Sequence, residues 1–240
     1  MGTLPRWYTT LSDVVSKNPK FTNYTLATVD ATLNPPVPRL RNLVHRSFIH
    51  SGAQIPLLVS TTDIRTPKVT QLFSISGSSD PNAELCWWIA DANEQWRFSG
   101  RLHVLPHPDH SLTAQFPAQR LAPERDEDGS EFGWEKERLK TFNEKMGGAL
   151  RAWFAHEVAP GSTLQSYDDL KQWPISLPKS YEVEEGDEKM KEHMEGALEN
   201  FALMVMEPMV VERLEFNPVP NHRTKYERDG GVWKECIIAP

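Results

Sequence analysis

Residues 24–105 set down five strand-like runs with a single helix start among them. Residues 24–30 alternate β-branched and small side chains, the pattern of a half-buried strand. Asn34-Pro35-Pro36 is a turn, and residues 37–49 form the partner strand. Ala53-Gln54 leads into a strand at 55–60, and the helix follows at 66–73. Residues 77–82 (GSSDPN) are a loop, and 83–90 are apolar enough for a buried strand. Residues 91–94 make a hairpin turn and 95–105 return, with Gly100 marking a bulge or a close backbone approach. Strands joined by short turns pair antiparallel, because a parallel pair needs a crossover of about a dozen residues. The predicted class is α+β, mainly β, built on an antiparallel barrel or sandwich.

The rest of the chain fills in around that sheet. Trp7, Leu11, Val14 and Val15 recur at helical spacing, so residues 5–15 are a short helix. Residues 111–120 read as helix, 123–133 as an acidic loop, and 134–154 as helix broken near Gly147-Gly148. Residues 159–181 are rich in Pro, Gly and Ser and read as irregular; 182–200 read as loop, then helix. Strands resume at 201–206, 209–216, 222–228 and 232–239, the last two joined by Asp229-Gly230-Gly231. The two ends are expected to close one sheet. This gives one domain over 1–240, with an N-terminal helix in 1–20 and a helical or irregular insertion at 106–200.

Composition removes several functions. Acidic residues outnumber basic ones 33 to 26, for a net charge of −7, which argues against nonspecific nucleic-acid binding. The two cysteines, Cys86 and Cys236, lie far apart and form no CxxC, so a reducing compartment is expected, with Cys86 a buried strand residue. The longest apolar run, 201–206, is too short to span a bilayer, and the N-terminus lacks a signal-peptide core. The expected location is cytoplasmic, without a membrane partner. Pro106 and Pro108 interrupt His103, His107 and His110, and no carboxylate set completes them, so no metal site is expected. Trp87, Trp88, Trp96 and Trp233 are expected in the core.

Chemistry concentrates between Val37 and Lys68. Arg41, Arg46, Arg65 and Lys68 supply four cations, and Ser60, Thr61, Thr62 and Thr66 stand between the basic pairs. Two strands and a helix start would bring guanidinium, ammonium, hydroxyl and backbone N–H groups together, which suits a dianionic phosphate. The plainer alternative is a basic surface hairpin followed by a capped helix.

The order of these motifs resembles the pyridoxamine 5′-phosphate oxidases. Residues 24–30 (YTLATVD), a Pro turn and Arg41-x4-Arg46 resemble that family's opening, where an Arg and a basic residue five positions on hold the FMN phosphate. Thr61 fits a family Thr, and Thr66-Pro67-Lys68 fits its Ser-Arg-Lys turn, with Pro67 in the Arg place, Arg65 just before it and Gln71 also matching. Gln95 stands where the family has a flavin-contacting Gln, and residues 226–240 look like its terminal hairpin ending in Ala-Pro. The family's Arg-Leu-His-Asp-Arg substrate segment appears only as Asn221-His-Arg-Thr-Lys225, leaving Arg223 and Lys225 as candidate substrate ligands. The resemblance covers about 21–105 and 205–240 and looks most like the Alr4036-type branch.

The resemblance implies an antiparallel split β-barrel that binds FMN, with Arg41, Arg46, Thr61, Arg65, Thr66, Lys68 and Gln95 toward the cofactor. It implies an FMN-dependent oxidoreductase acting on a small molecule, and a homodimer with the flavin at its interface. No catalytic residue is assigned. The alternative is a split-barrel flavin binder without pyridoxamine phosphate oxidase activity, acting on another small molecule or sequestering flavin. A β-barrel interaction module without cofactor is a third reading.

Overall fold

The computed structural model describes residues 4–52, 55–74, 82–126 and 129–240. The strands are β1 (Asn23–Asp30), β2 (Val37–Val44), β3 (Ser47–His50), β4 (Pro56–Asp63), β5 (Ala83–Ile89), β6 (Glu94–Leu105), β7 (Phe201–Glu215), β8 (His222–Asp229) and β9 (Val232–Ile238). The helices are α1 (Arg6–Lys17), α2 (Pro67–Ser74), α3 (Ala118–Leu121), α4 (Trp134–Glu144), α5 (Gly148–Phe154) and α6 (Glu188–Asn200). All strands join one antiparallel sheet in the order β2-β1-β5-β6-β7-β4-β3, with β8 on β7 and β9 on β8.

The run expected as one strand at 37–49 is two. His45 N–H donates to Thr22 O at 2.7 Å, on the β1 side, and Arg46 N–H donates to Val59 O at 2.8 Å, on the β4 side. Across that one peptide the chain changes partners, from one end of the sheet to the other. The two ends of the sheet are therefore brought together by the chain itself. The alternation of the sequence continues through the corner, which is why it reads as unbroken.

Two expected strands merge in the opposite sense. β7 runs straight through Pro208, where the sequence had suggested a gap. Pro208 lies opposite Gly100, and the register of β6 against β7 shifts between Ser99 and Gly100. A bulge tolerates the missing N–H that an even ladder would not. A Cβ on Gly100 would lie 2.2 Å from Glu207 O, so the close approach expected there is real. Residues 111–120 are not one helix: Ser111–Gln115 is a 3₁₀ segment and α3 is short. The turn after β5 is also 3₁₀, closed by Asn93 at φ 54°. The loop expected at 77–82 lies outside the described residues except for Asn82, and Ala53-Gln54 also lies outside them.

Two apolar cores result. Inside the curled sheet, Leu26, Leu58, Leu85, Trp87, Trp96 and Phe98 pack with Trp7 and Leu11 of α1. On the other side of β4 and β7, Leu57, Val59, Leu203 and Val205 pack beneath the insertion through Phe142, Met194 and Ala197. β4 and the first half of β7 are consequently buried on both faces. Trp88 departs from expectation. It faces the outer side of β5, is 45 % exposed, and meets Phe216 edge-on at 5.5 Å. Cys86 shares that face and is only half-buried. Among the described residues, no helix is long and apolar enough to cross a membrane.

Candidate functional site

β2 sets Arg41 opposite Leu26 of β1, and Thr28 lies two residues further along the same inner face. The Arg41 guanidinium donates to Thr28 Oγ1 and to Gln71 Oε1 of α2, both at 2.6 Å. Thr28 Oγ1 also donates to Gln71 Oε1 at 2.7 Å. Helix, strand and guanidinium are thus fastened at one point.

The end of β4 supplies the other half. The turn after it closes with Thr66 Oγ1 donating to Asp63 O at 2.7 Å, and Pro67 then opens α2, where a missing N–H costs nothing. That turn folds Lys68 back along the strand. Lys68 Nζ donates to Thr62 Oγ1 at 2.8 Å and to Thr66 Oγ1 at 2.9 Å.

Burial, then the nearby Arg41, pulls Lys68 down to about 8, against a weaker opposing pull from Asp63. Burial, then Arg39, also lowers Arg41. Among the described residues, neither cation has a carboxylate within 4.0 Å. Two cations with hydroxyl neighbours and no counter-charge form an environment that an incoming anion would stabilise.

Not every residue singled out in the sequence joins them. Arg65 turns away: it pairs with Asp63 through Nη2 at 2.7 Å and donates to His156 O at 2.8 Å, tying the turn to the chain after α5. Arg46 donates to Lys145 O at 3.2 Å, and its Nε is buried without a partner. Strand alternation puts Thr61 on the Leu57 and Val59 face, toward the insertion, and gives its place beside Lys68 to Thr62. Thr28 and Thr62 went unassigned in the sequence. The parity of Thr62 with Ser60 and Leu58 is the signal that could have found the latter.

Gln95, Arg223 and Lys225 share the outer face. Gln95 is opposite Trp88 and Leu214, and Leu214 is opposite Arg223; Arg97, Glu212 and Lys225 make the next row. Arg223 pairs with Glu212 at 2.5 Å and Lys225 with Glu227 at 2.7 Å. The cluster of Arg41, Thr66 and Lys68 faces the barrel interior, on the other side of the sheet.

Residues 4–106 match the family model described as the FMN-binding domain of pyridoxamine 5′-phosphate oxidase. Over this region the chain resembles the FMN-binding domains of the pyridoxamine 5′-phosphate oxidases. A Saccharomyces cerevisiae protein, YGR017W, is 34% identical over 104 residues, covering 40% of this chain and 34% of that one. Pyridoxine/pyridoxamine 5′-phosphate oxidase 2 of Arabidopsis thaliana is 31% identical over 80 residues, covering 32% of this chain and 36% of that one. The chain therefore matches about a third of the length of these relatives. A pyridoxamine 5′-phosphate oxidase-related, FMN binding protein from Nostoc punctiforme superposes over the whole of both chains, with a TM-score of 0.68 at 21% identity. PhzG from Burkholderia lata, solved with tetrahydrophenazine-1-carboxylic acid, gives 0.56 at 16% identity over 98% of this chain and 89% of that one. The fold is the split barrel of this family.

Proposed function

We infer that the Arg41–Lys68 cluster holds the phosphate of FMN and that the protein is an FMN-dependent oxidoreductase resembling pyridoxamine 5′-phosphate oxidase. The observation that carries this reading is the pair of partly buried cations, Arg41 and Lys68, flanked by Thr62 and Thr66 and with no carboxylate partner among the described residues. FMN fits that donor set, because its phosphate is a near dianion. When bound, the flavin ring would supply hydride acceptance, chemistry no side chain can perform. The chain's own part is to bind and orient. Thr28 and Gln71 fix the Arg41 fork, Thr62 and Thr66 fix the Lys68 ammonium, and the Asp63–Arg65 pair stiffens the turn between them.

Gln95 lies on the opposite face of the sheet from that cluster. A second copy of the chain, related by a two-fold axis, is the route by which Gln95 would reach a flavin ring. The outer face also exposes Leu40 (70 %) and Trp88, apolar surface that a homodimer would cover. The insertion at 106–200 shares a core with β4 and β7, which supports one domain over 1–240.

A second reading has its own support. Arg223 and Lys225 are engaged by Glu212 and Glu227 and are poorly placed to hold a substrate phosphate. This favours a small molecule other than pyridoxamine phosphate. A visible absorption spectrum of the purified protein tests flavin binding. Turnover of pyridoxamine and pyridoxine phosphates, followed by peroxide release, separates the readings. A colourless chain that takes up no FMN would end both.

A further inference from the structure

Among the described residues, Lys68 Nζ is held by hydroxyl oxygens alone, whereas Lys179, Lys225 and Lys234 each rest on a carboxylate. We propose that Lys68 is a modification site, its amine acylated by small acyl phosphates that dock on Arg41 while the flavin is absent. This rests on the inference that the Arg41–Lys68 cluster holds a phosphate, and it gives that site a means of being closed.

The hydrogen bonds around Lys68 suit an uncharged amine. Thr66 Oγ1 donates to Asp63 O at 2.7 Å, and Thr62 Oγ1 donates to the same oxygen at 3.1 Å. Each hydroxyl has one proton, so toward Lys68 Nζ both oxygens only accept. Two acceptors match the two N–H bonds of a neutral amine and leave its lone pair free. Asp63, the carboxylate on the same turn, is taken by Arg65 at 2.7 Å. The carboxylates beside Lys179, Lys225 and Lys234 raise their pKa and keep the proton on. Burial and Arg41 instead lower that of Lys68 to about 8, which leaves roughly a tenth of it uncharged near pH 7. The side chain is only partly buried.

Arg41 supplies the other half of the reaction. Gln71, which fixes its guanidinium, stands three residues after Lys68 on α2, so fork and amine share one side of that helix. A phosphate seated on Arg41 brings an attached acyl carbon within reach of Nζ. Nζ then forms a bond to the acyl carbon, and the bond from that carbon to the phosphate oxygen breaks, its electron pair leaving on the phosphate. One amine proton passes to the phosphate. The products are an amide on Lys68 and inorganic phosphate, with no change of oxidation state. The amide carries no charge, so the acylated chain loses one of its two phosphate-binding cations.

Acetyl phosphate is the probe, with p-nitrophenyl acetate as an acetyl donor that lacks phosphate. Full-length chains, FMN-free and FMN-loaded, are treated with each, and acetylation is followed lysine by lysine by peptide mass spectrometry. The ratio of the two rates at one lysine cancels its fraction of free amine. Expected in the FMN-free chain is a ratio at Lys68 at least tenfold above that at exposed Lys17 and Lys20, with the acetyl phosphate rate saturating. Arg41→Met should abolish that excess, and FMN should slow acetylation of Lys68 at least tenfold. The chain acetylated at Lys68 should bind FMN at least tenfold more weakly. Should Arg41→Met not fold, the excess and its saturation on the native chain decide. No excess at Lys68, or an excess that Arg41→Met leaves intact, would overturn the proposal, and FMN uptake by the unmodified chain would still uphold the flavin reading. FMN that binds without shielding Lys68 would move the flavin elsewhere and leave the acylation standing.

Discussion

Arg41 Nη2 lies 2.6 Å from Gln71 Oε1, so a strand residue and a helix residue thirty positions apart hold one guanidinium in a single orientation. A fixed fork is what a phosphate ligand requires, because little freedom is then lost when the anion arrives. Replacing Arg41 or Lys68 with Met should weaken FMN by about 1.5–3 kcal/mol, the range for a hydrogen bond to a charged group. Fluorescence titration of free FMN measures it. Wild-type affinity in both variants would dismiss the cluster as a phosphate site.

The parity of β4 makes a sharper test. Thr62→Ala should lower FMN affinity by about 1 kcal/mol, an ordinary hydrogen-bond contribution, while Thr61→Ala leaves it unchanged. The same titration decides, and the reverse order of effects would mean that β4 presents its other face.

Lys68 gives FMN binding a pH dependence. In the free protein its pKa is near 8, and an adjacent phosphate would raise it. Binding therefore takes up a proton near that pH. Affinity should be flat from about pH 6.5, above the second ionisation of the phosphate, to about pH 7.5, and fall by up to about tenfold per unit above pH 8. Calorimetry in buffers of different ionisation heat would report the proton uptake. In the unliganded protein the sign for stability is the same as for any buried base. The unfolded chain binds the proton more tightly, with an ordinary value of 10.5, so stability should rise as pH goes from 8 toward 10.5.

Glu207 is a structural counterpart. It is buried, accepts two hydrogen bonds from Arg120 at 2.6 and 2.8 Å, and pairs with Arg228 at 2.8 Å and His103 at 3.0 Å. Burial pushes its carboxyl up, yet these partners outweigh burial and hold it below the ordinary carboxylate range. Its stabilisation should be complete above pH 4.5 and fade as pH falls below that value. Glu207→Ala should cost about 3 kcal/mol in urea unfolding, chiefly because it strands the buried Arg228 guanidinium, whereas the half-exposed Arg120 is solvated. Gly100→Ala, whose new methyl would meet the Glu207 carbonyl, should cost about 3 kcal/mol by overpacking.

The separation of Arg41 and Gln95 by the sheet predicts complementation. In a mixed dimer of Arg41→Met and Gln95→Ala chains, one flavin site loses both contacts and the other keeps both. Half of the sites should then bind FMN with wild-type affinity. If all sites stay weak, both residues serve a flavin held within one chain.

The early strands were legible because side-chain alternation and turn residues are local signals, and the Arg41, Thr66 and Lys68 spacing survived into three dimensions. Other features depended on tertiary choices that no local pattern carries. The corner at His45 and Arg46 changes hydrogen-bond partners without changing the side-chain pattern. Pro208 ends a strand in isolation, but opposite Gly100 it is carried through a bulge. Arg65 looked equivalent to Lys68, yet the Asp63 carboxylate two residues away and the carbonyls after α5 claim it. Thr61 was assigned by resemblance, and a shift of one residue along a strand exchanges one face for the other.

The double-sided burial of β4 and β7 limits how this chain can be shortened. The segment between β6 and β7 acts as a roof, and under it lie Leu57, Val59, Leu203 and Val205, all fully sequestered. Excising that roof would strip an oily wall bare on an otherwise intact sheet, and such truncations should clump rather than yield a smaller folded domain.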